Sequence, residues 1–169
     1  MNLYPMPFDF IDDNFHLSWC EVKWGYENNF INSGVPIKKA EKNVLTGFYT
    51  NPELELSFVV PSESNYIAHF LKELCSECEQ KDDLKIKRKW LFIVLRWLGG
   101  NCNSFDKPLA EVEIIYADFY YLSEIEGFIK YMPPSDGYDP SMHSQIKNIN
   151  HLMNKWKNYL EKGPAVFKS

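Results

Sequence analysis

The chain has 169 residues, which is enough for one domain with a sizeable hydrophobic core. Hydrophobic residues make up 45% of the chain and aromatic residues 16%, and these fractions exclude an intrinsically disordered protein. The formal net charge of −5 argues against a nucleic-acid-binding protein, because such proteins usually present a basic face.

The first helix signal in the chain is the tetrapeptide Ser18-Trp19-Cys20-Glu21. It has the form of a capping box, in which the first and last side chains each accept a hydrogen bond from the other residue's backbone N–H. The sequence therefore predicts a helix over 19–31, which ends before Ser33-Gly34. Pro36 is typical of a first helical position and predicts a second helix that ends before Gly47.

Residues 51–60 allow two interpretations. Asn51-Pro52 is typical of a helix start, with proline in the first turn. The apolar residues that follow also alternate as in a strand, at Leu54, Leu56, Phe58 and Val60. A single strand would have nothing to pair with, so we favour a short helix.

The rest of the chain predicts four longer helices, over about 64–79, 83–98, 108–132 and 140–163. Pro133-Pro134 ends the third, and Asp139-Pro140 is typical of the start of the fourth. The fourth helix is expected to turn one apolar stripe inward: Met142, Ile146, Ile149, Met153, Trp156 and Leu160. We predict a single all-α domain over residues 1–169, with six or seven helices packed as antiparallel pairs and a short strand near 54–60 as the alternative.

The sequence does not predict a secretion signal or a membrane span. The N-terminus, MNLYPMPFDFIDD, has no basic leader and no clean apolar run. The longest apolar run, from Trp90 to Leu98, contains nine residues including Arg96 and is too short to cross a bilayer. We expect a soluble, cytoplasmic protein with no membrane partner.

The four cysteines, Cys20, Cys75, Cys78 and Cys102, do not suggest a disulfide scaffold in a chain of this length. Cys75-x-x-Cys78 has the spacing of half a zinc site or of a redox pair. The pair lies near the C-terminal end of its predicted helix, on the apolar face, and the sequence has no second such pair. We therefore predict that these cysteines are buried apolar residues.

The sequence contains no recognisable motif for a metal, a cofactor or catalysis. The four histidines do not occur in H-E-x-x-H, and no phosphate-binding loop, G-x-S-x-G or G-x-G-x-x-G is present. We predict no metal site, no cofactor and no catalytic residue, and hence a protein that is not an enzyme.

Asp118 falls inside the apolar stripe of the helix predicted over 108–132. An unpaired buried charge costs several kcal/mol. We therefore predict a buried ion pair between Asp118 and Arg96 of the preceding helix. A hydrolase that uses Asp118 together with Glu111, two turns earlier on nearly the same face, is a further alternative.

The opposite face of the same predicted helix combines acids with tyrosines: Glu113, Tyr116, Tyr120 and Glu124. Further acids and a tyrosine follow in an expected exposed loop tip: Asp136, Tyr138 and Asp139. Tyrosine supplies a large contact area at low entropic cost, so this combination is typical of a surface that contacts a basic protein. A solvated face whose tyrosines pack on a neighbouring helix would show the same pattern.

The acidic charge is concentrated in one part of the chain. Residues 101–140 contain eight acidic residues and two lysines, a net charge of −6, whereas residues 141–169 contain five lysines and one glutamate, a net charge of +4. Such blocks either neutralise each other within the fold or leave an acidic patch that steers a basic partner.

Two segments, HLSWCEVKWGYEN and FIKYMPPSDGYDP, are the basis of a family resemblance, and Tyr131-Met132-Pro133-Pro134 is their most distinctive part. The chain resembles a family of short bacterial proteins of unknown function, over most of its length. The resemblance implies a small, acidic, stand-alone domain, of a kind that is often encoded near secreted polymorphic toxins and often serves as an immunity protein. It implies no catalytic residues.

These observations lead to two functional hypotheses of different classes. The first is a non-catalytic cytoplasmic binding protein that acts as an immunity protein and occludes a basic, nuclease-type toxin domain. Its acids would take the place of nucleic-acid phosphates, and its tyrosines would anchor the partner. The second is a regulatory or scaffolding domain that self-associates through exposed aromatic residues. The sequence leaves the oligomeric state open.

Overall fold

The structure, a computed structural model, describes residues 2–78 and 82–163. Within these residues it is all-helical and contains no strand, which confirms the predicted all-α class. The α-helices, numbered α1 to α8, are Phe8–Asn14, Trp19–Glu27, Gly34–Leu45, Asn51–Ser57, Ser64–Ser76, Asp83–Gly100, Pro108–Asp118 and Gln145–Lys162. Three 3-10 helices cover Cys102–Ser104, Ser123–Phe128 and Pro140–Met142. The described part thus has more helices than the six or seven predicted, and α4 replaces the alternative strand near 54–60.

The described chain divides into two compact units, residues 2–88 and residues 89–163. The division falls inside α6. The candidate site lies entirely in the C-terminal unit.

In the N-terminal unit, α3 packs against α4, and α2 and α4 pack against α5. The predicted capping box starts α2: the Ser18 backbone N–H donates to Glu21 Oε2 at 2.8 Å, and the Glu21 N–H donates to Ser18 Oγ at 3.2 Å. The sequence pattern does not predict α1, because Pro7 precedes this helix and offers no side-chain cap.

A disulfide in this unit corrects the prediction for the cysteines. Cys20 of α2 is bonded to Cys75 of α5, with 4.5 Å between their Cα atoms. The prediction of a buried apolar residue is therefore wrong for Cys75, which forms a disulfide with Cys20, whereas Cys78 and Cys102 keep free thiols and are half-buried. The pair is 55 residues apart in sequence and meets only because α2 packs against α5, so local spacing pointed to the wrong partner for Cys75.

In the C-terminal unit, apolar residues of α6 and one buried tryptophan of α8 form the centre. Phe92 of α6 and Phe128 each contact the ring of Tyr159, with centroid distances of 5.8 and 5.6 Å. Trp156 is the one residue of α8 that is classed as buried within the described chain. Gly99 allows α6 and α8 to approach closely, since a Cβ atom there would lie 3.1 Å from Leu160 Cδ1.

The predicted helix over 108–132 is wrong, because α7 ends at Asp118. Tyr120 and Tyr121 both adopt left-handed backbone conformations, with φ of 55° and 61°. The Tyr121 N–H donates to the Tyr116 carbonyl at 2.9 Å, a closing bond of the kind that usually involves glycine. The chain then turns and forms the 3-10 helix Ser123–Phe128, which buries Ile125 and Phe128. The burial of Ile125 and Phe128 stabilises this turned conformation in place of a longer α7.

The start of the last helix and its stripe also differ from prediction. Asp139 caps only the short 3-10 helix, whereas α8 begins at Gln145 with Ser144 as its cap. The stripe turns inward at Trp156, but its N-terminal members Met142, Ile146 and Ile149 are exposed. Met142 belongs to the separate 3-10 helix Pro140–Met142, and Ile146 and Ile149 lie in the first turns of α8.

Candidate functional site

An exposed cluster of tyrosines and acids forms where α7 ends. We call Glu113, Tyr116, Tyr121, Glu126 and Tyr131 the tyrosine surface. The ring of Tyr116 lies 5.1 Å from that of Tyr121, edge to face, and 6.4 Å from that of Tyr131. Tyr116 is buried, whereas Tyr121 and Tyr131 are 60% and 58% exposed. The left-handed turn therefore presents two aromatic rings to solvent above a third that supports them.

Acids adjoin these phenols. The Tyr116 hydroxyl donates to Glu126 Oε1 at 2.9 Å. Burial, together with this hydrogen bond, raises the pKa of Tyr116 to about 12. Desolvation, followed by the nearby Tyr121 and Glu113, raises the pKa of Tyr131. Both pKa shifts favour the neutral phenols of Tyr116 and Tyr131, so the negative charge of this surface comes from its carboxylates.

The structure rearranges the four residues that were predicted to share one helix face. Glu113 and Tyr116 lie on α7, but Tyr116 is buried and supports the other rings. Tyr120 is exposed but lies beyond the end of α7, and Glu124 lies on the 3-10 helix. Burial, and then the charge of Glu124, raise the pKa of Tyr159, which places Glu124 near that ring. The predicted common helical face is therefore wrong.

Sequence reasoning missed Tyr121, Glu126 and Tyr131. Their positions depend on the turn after Asp118, and the sequence offers no glycine there to indicate it. The pair Tyr120-Tyr121 could have indicated that the helix ends here, because two adjacent tyrosines cannot both face the core from a regular helix.

Asp118 is exposed at the C-terminal end of α7, so the predicted burial of this residue is wrong, whereas its ion pair with Arg96 stays a prediction. The physical reason is the early end of the helix. Only a helix that continued to 132 would have enclosed Asp118 in an apolar stripe.

The loop that was expected to be an exposed tip is fastened to α8. The Asp136 carboxylate lies 2.7 Å from Lys155 Nζ and 2.8 Å from His151 Nε2, and it accepts the Tyr138 backbone N–H at 3.1 Å. The hydrogen bonds from Lys155, from the Tyr138 backbone and from His151 hold the pKa of Asp136 well below its usual range. The charge of Asp136 is thus compensated within the protein.

Tyr138 forms the second fastening. Its ring stacks on that of His151 at a centroid distance of 3.8 Å and on that of His143 at 4.7 Å. Its hydroxyl donates to Asn148 Oδ1 at 2.8 Å. Asp139 accepts hydrogen bonds from Ser141, which lower the pKa of Asp139. Partner contacts by Asp136, Tyr138 and Asp139 remain a prediction, to which the structure adds internal roles for all three.

A pocket of about 240 Å³ lies between this loop and α8. Most of its wall is apolar, and Glu126, Lys130, Asp136 and Lys155 contribute charged groups. Asp136 and His151 both line it, and such a pair is one component of general-base catalysis. Among the described residues, no hydroxyl group donates to or accepts from the His151 ring.

Residues 2–78 and 82–163 contain no group of three or more histidine, cysteine or acidic side chains placed to hold a metal ion. They also contain no helix with the length and apolar character needed to cross a membrane.

The sequence profile of the family DUF2247, described as an uncharacterized protein conserved in bacteria, matches residues 8–163. The chain therefore belongs to this family. No curated protein and no solved structure matched it.

Proposed function

We propose that this member of the DUF2247 family is a non-catalytic cytoplasmic binding protein, which acts as an immunity protein by occluding a basic, nuclease-type toxin domain. The observation that carries the proposal is the tyrosine surface. It combines two exposed aromatic rings with carboxylates, and this chemistry suits a basic protein partner.

The aromatic part of the surface supplies the anchors. Tyrosine is enriched at the energetic centres of protein interfaces, because a large ring is buried at the loss of few rotatable bonds. Tyr121 and Tyr131 are exposed, yet both rings contact or adjoin the buried Tyr116. Their positions are therefore largely fixed before a partner binds, which lowers the entropic cost of binding.

The acidic part supplies attraction. Among the described residues, Glu113 has no ion-pair partner, and it lies beside Tyr131. Residues 101–140 carry a net charge of −6, from eight acids and two lysines. Surface charges of this kind raise the association rate with a basic partner, and salt screens the effect. We expect an association rate that falls as ionic strength rises.

The test is binding to the purified, inactivated toxin domain encoded beside this protein's gene. Replacement of Tyr121 and Tyr131 by alanine should weaken binding by about tenfold or more for each residue, as is usual for anchor tyrosines. Tyr66→Ala is the matched control, since Tyr66 is 59% exposed and lies on α5. Rescue of toxin-expressing cells by the wild type, but not by the double variant, is the expected biological result. An adjacent gene product that is not bound, or unchanged binding by the double variant, would overturn the proposal.

Self-association is the second candidate, and exposed apolar side chains favour it. In the N-terminal unit Leu45, Phe48 and Phe58 are 87%, 89% and 78% exposed. Large exposed apolar side chains often mark protein contacts. Sedimentation over a hundredfold range of concentration tests this reading, and a constant monomer mass would remove it.

A further inference from the structure

The pocket between residues 126–140 and α8 has a volume of about 240 Å³ and mostly apolar walls. The apolar residues that line it include Ile129, Met132, Pro133, Pro134, Ile149 and Leu152. Sites for small molecules and cofactors usually have volumes of about 300–1,000 Å³. The size of this pocket fits one large amino-acid side chain better than a cofactor.

The walls of the pocket are held in place without a ligand. Proline rings fix the backbone φ angles at Pro133 and Pro134. The loop that follows is fastened to α8 by the ion pair of Asp136 with Lys155 and by the hydrogen bond from Tyr138 to Asn148. A pocket that is formed before binding loses little conformational entropy when it is filled.

The charged groups in the pocket lining balance one another, because Lys130 and Lys155 are accompanied by Glu126 and Asp136. Asp136 is already paired with Lys155, and Glu126 already accepts the hydroxyl hydrogen of Tyr116. The lining therefore offers no net charge of either sign to a charged side chain. An uncharged side chain is therefore favoured. An aromatic ring packs well against proline and against the methionine sulfur of Met132.

The pocket is continuous with the tyrosine surface. Glu126 belongs to both, because it lines the pocket and binds the Tyr116 hydroxyl. Tyr131 lies in the chain between Lys130 and Met132, which both line the pocket. We propose that the pocket is the anchor site for a single uncharged aromatic side chain of the basic protein partner, beside the contacts that the tyrosine surface makes. This inference rests on the proposed function for the source of that side chain.

The first test uses a side-chain probe and needs no partner. N-acetyltryptophanamide is titrated into the ¹⁵N-labelled full chain, with N-acetylleucinamide and N-acetyllysinamide as comparison probes. The expected result is saturable shifts of the Lys130, Gln145 and Leu152 amides with the tryptophan probe, at millimolar concentration, and contacts between the indole and the Met132 methyl group. Equal shifts with the leucine or lysine probe, or no shifts at these amides, would overturn the assignment.

The second test uses a matched pair of variants on α8. Ile149→Lys introduces a charge into the pocket wall at a site that is 38% exposed, whereas Ile146→Lys changes a 72% exposed residue of the same helix outside the pocket lining. Ile149→Lys should abolish binding of the tryptophan probe and lower the affinity for the toxin domain by about tenfold or more. The Ile146 variant should retain both. If Ile149→Lys lowers the helical circular dichroism signal, Ile149→Ala takes its place. Ile149→Ala should also lower the affinity for the tryptophan probe.

The two proposals fail in different ways. If the tryptophan probe binds but the toxin domain does not, the pocket remains a site for an aromatic side chain and the proposed function is removed. Toxin binding that depends on Tyr121 and Tyr131 but is unchanged by both Ile149 variants would remove this inference alone.

Discussion

The phenol ring of Tyr138 lies parallel to the imidazole ring of His151, with 3.8 Å between their centroids and 7° between their planes. The same imidazole has its Nε2 atom 2.8 Å from Asp136 Oδ2. His151 thus contacts both residues that fasten the loop over 133–140. A segment that reads in sequence as a solvent-exposed connection is in the structure a fixed wall of the pocket.

We predict that Tyr138 contributes measurably to stability. Tyr138→Phe removes the hydrogen bond to Asn148 and should lower the free energy of unfolding by about 0.5–1.5 kcal/mol. Tyr138→Leu also removes the ring stacking and should cost a further ~0.5–1.5 kcal/mol. Urea denaturation measures both values. Tyr66→Leu, at an exposed site, should change the free energy of unfolding by less than about 0.5 kcal/mol. An equal loss for Tyr66→Leu and Tyr138→Leu would contradict the fastening role.

A second prediction concerns the pH dependence of stability. The pKa of Asp136 is lower in the folded protein than in the unfolded chain, where an aspartate has a pKa of about 3.9. The unfolded chain therefore binds a proton at Asp136 more readily, so this contribution to stability is fully present above about pH 4.5 and is lost progressively as the pH falls further. Urea denaturation of wild type and Asp136→Asn between pH 7 and pH 2.5 measures it. The stability difference should be constant down to about pH 4.5 and shrink below that. A constant difference down to pH 2.5 would show that Asp136 is not held in its charged form.

The third prediction concerns the support of the tyrosine surface. The pKa of Tyr116 is about 12, above the value of about 10 expected in the unfolded chain. Stability from this group is present below pH 10 and is lost as the pH rises toward 12. Glu126→Gln removes the charge beside the phenol and should lower the Tyr116 pKa. Ultraviolet difference titration of phenolate formation follows this change, with Tyr116→Phe identifying the Tyr116 transition. Glu113→Gln, whose charge acts on Tyr131, is the control and should leave that transition in place.

Local interactions account for what the sequence predicted well. The capping box at Ser18 lies within four residues, and the proline of Asn51-Pro52 acts within one turn, so each helix start could be predicted from its own segment. The end of α7 could not be predicted in this way. At this turn two tyrosines adopt a backbone conformation that glycine usually adopts. The turn is followed by the burial of Ile125 and Phe128, and this burial exists only in the folded unit.

The candidate site shows the same limit. The residue types of the acids and tyrosines in 113–139 suggest a contact surface. Their arrangement in space depends on the turn at Tyr120-Tyr121, which the sequence does not predict. The pocket required the loop to fold back onto α8, through residues 15 to 19 positions apart, as in Asp136 with His151 and Lys155. Spacings in a single predicted helix do not encode such contacts.

The fourth prediction contrasts the adjacent Gly99 and Gly100 at the end of α6. A Cβ atom at Gly100 would have no neighbour within 4 Å, so Gly100→Ala should stabilise the helix by about 0.5 kcal/mol. A Cβ atom at Gly99 would lie 3.1 Å from Leu160 Cδ1, so the Leu160 side chain would have to move by a few tenths of an ångström against its packed neighbours. Gly99→Ala should therefore be less stable than Gly100→Ala by about 1 kcal/mol or more in urea denaturation. Equal stability of the two variants would contradict the close approach of α6 and α8.

The fifth prediction concerns the bond between Cys20 and Cys75. In the chain-entropy model, a disulfide that closes a loop of this length raises the free energy of the unfolded chain by about 4 kcal/mol. Reduction should therefore lower the free energy of unfolding by roughly 2–4 kcal/mol. Peptide mapping of the air-oxidised protein under non-reducing conditions should recover Cys20 joined to Cys75. Urea denaturation with and without a reductant measures the loss, and Cys78→Ser should show the same loss on reduction as the wild type. A mapped bond between Cys75 and Cys78 would contradict the packing of α2 against α5.

The same bond tests the proposed cytoplasmic location. Cytoplasmic reductants keep most protein thiols reduced, so a cytoplasmic protein should have Cys20 and Cys75 as thiols in intact cells and form the bond only after lysis. Alkylation of growing cells before lysis, followed by mass spectrometry, distinguishes the two states. Cys78 and Cys102 serve as internal standards, because both are free thiols in the folded protein. Recovery of the oxidised pair from alkylated cells would show that the protein resides in an oxidising compartment, and the immunity proposal would then require a toxin that acts there.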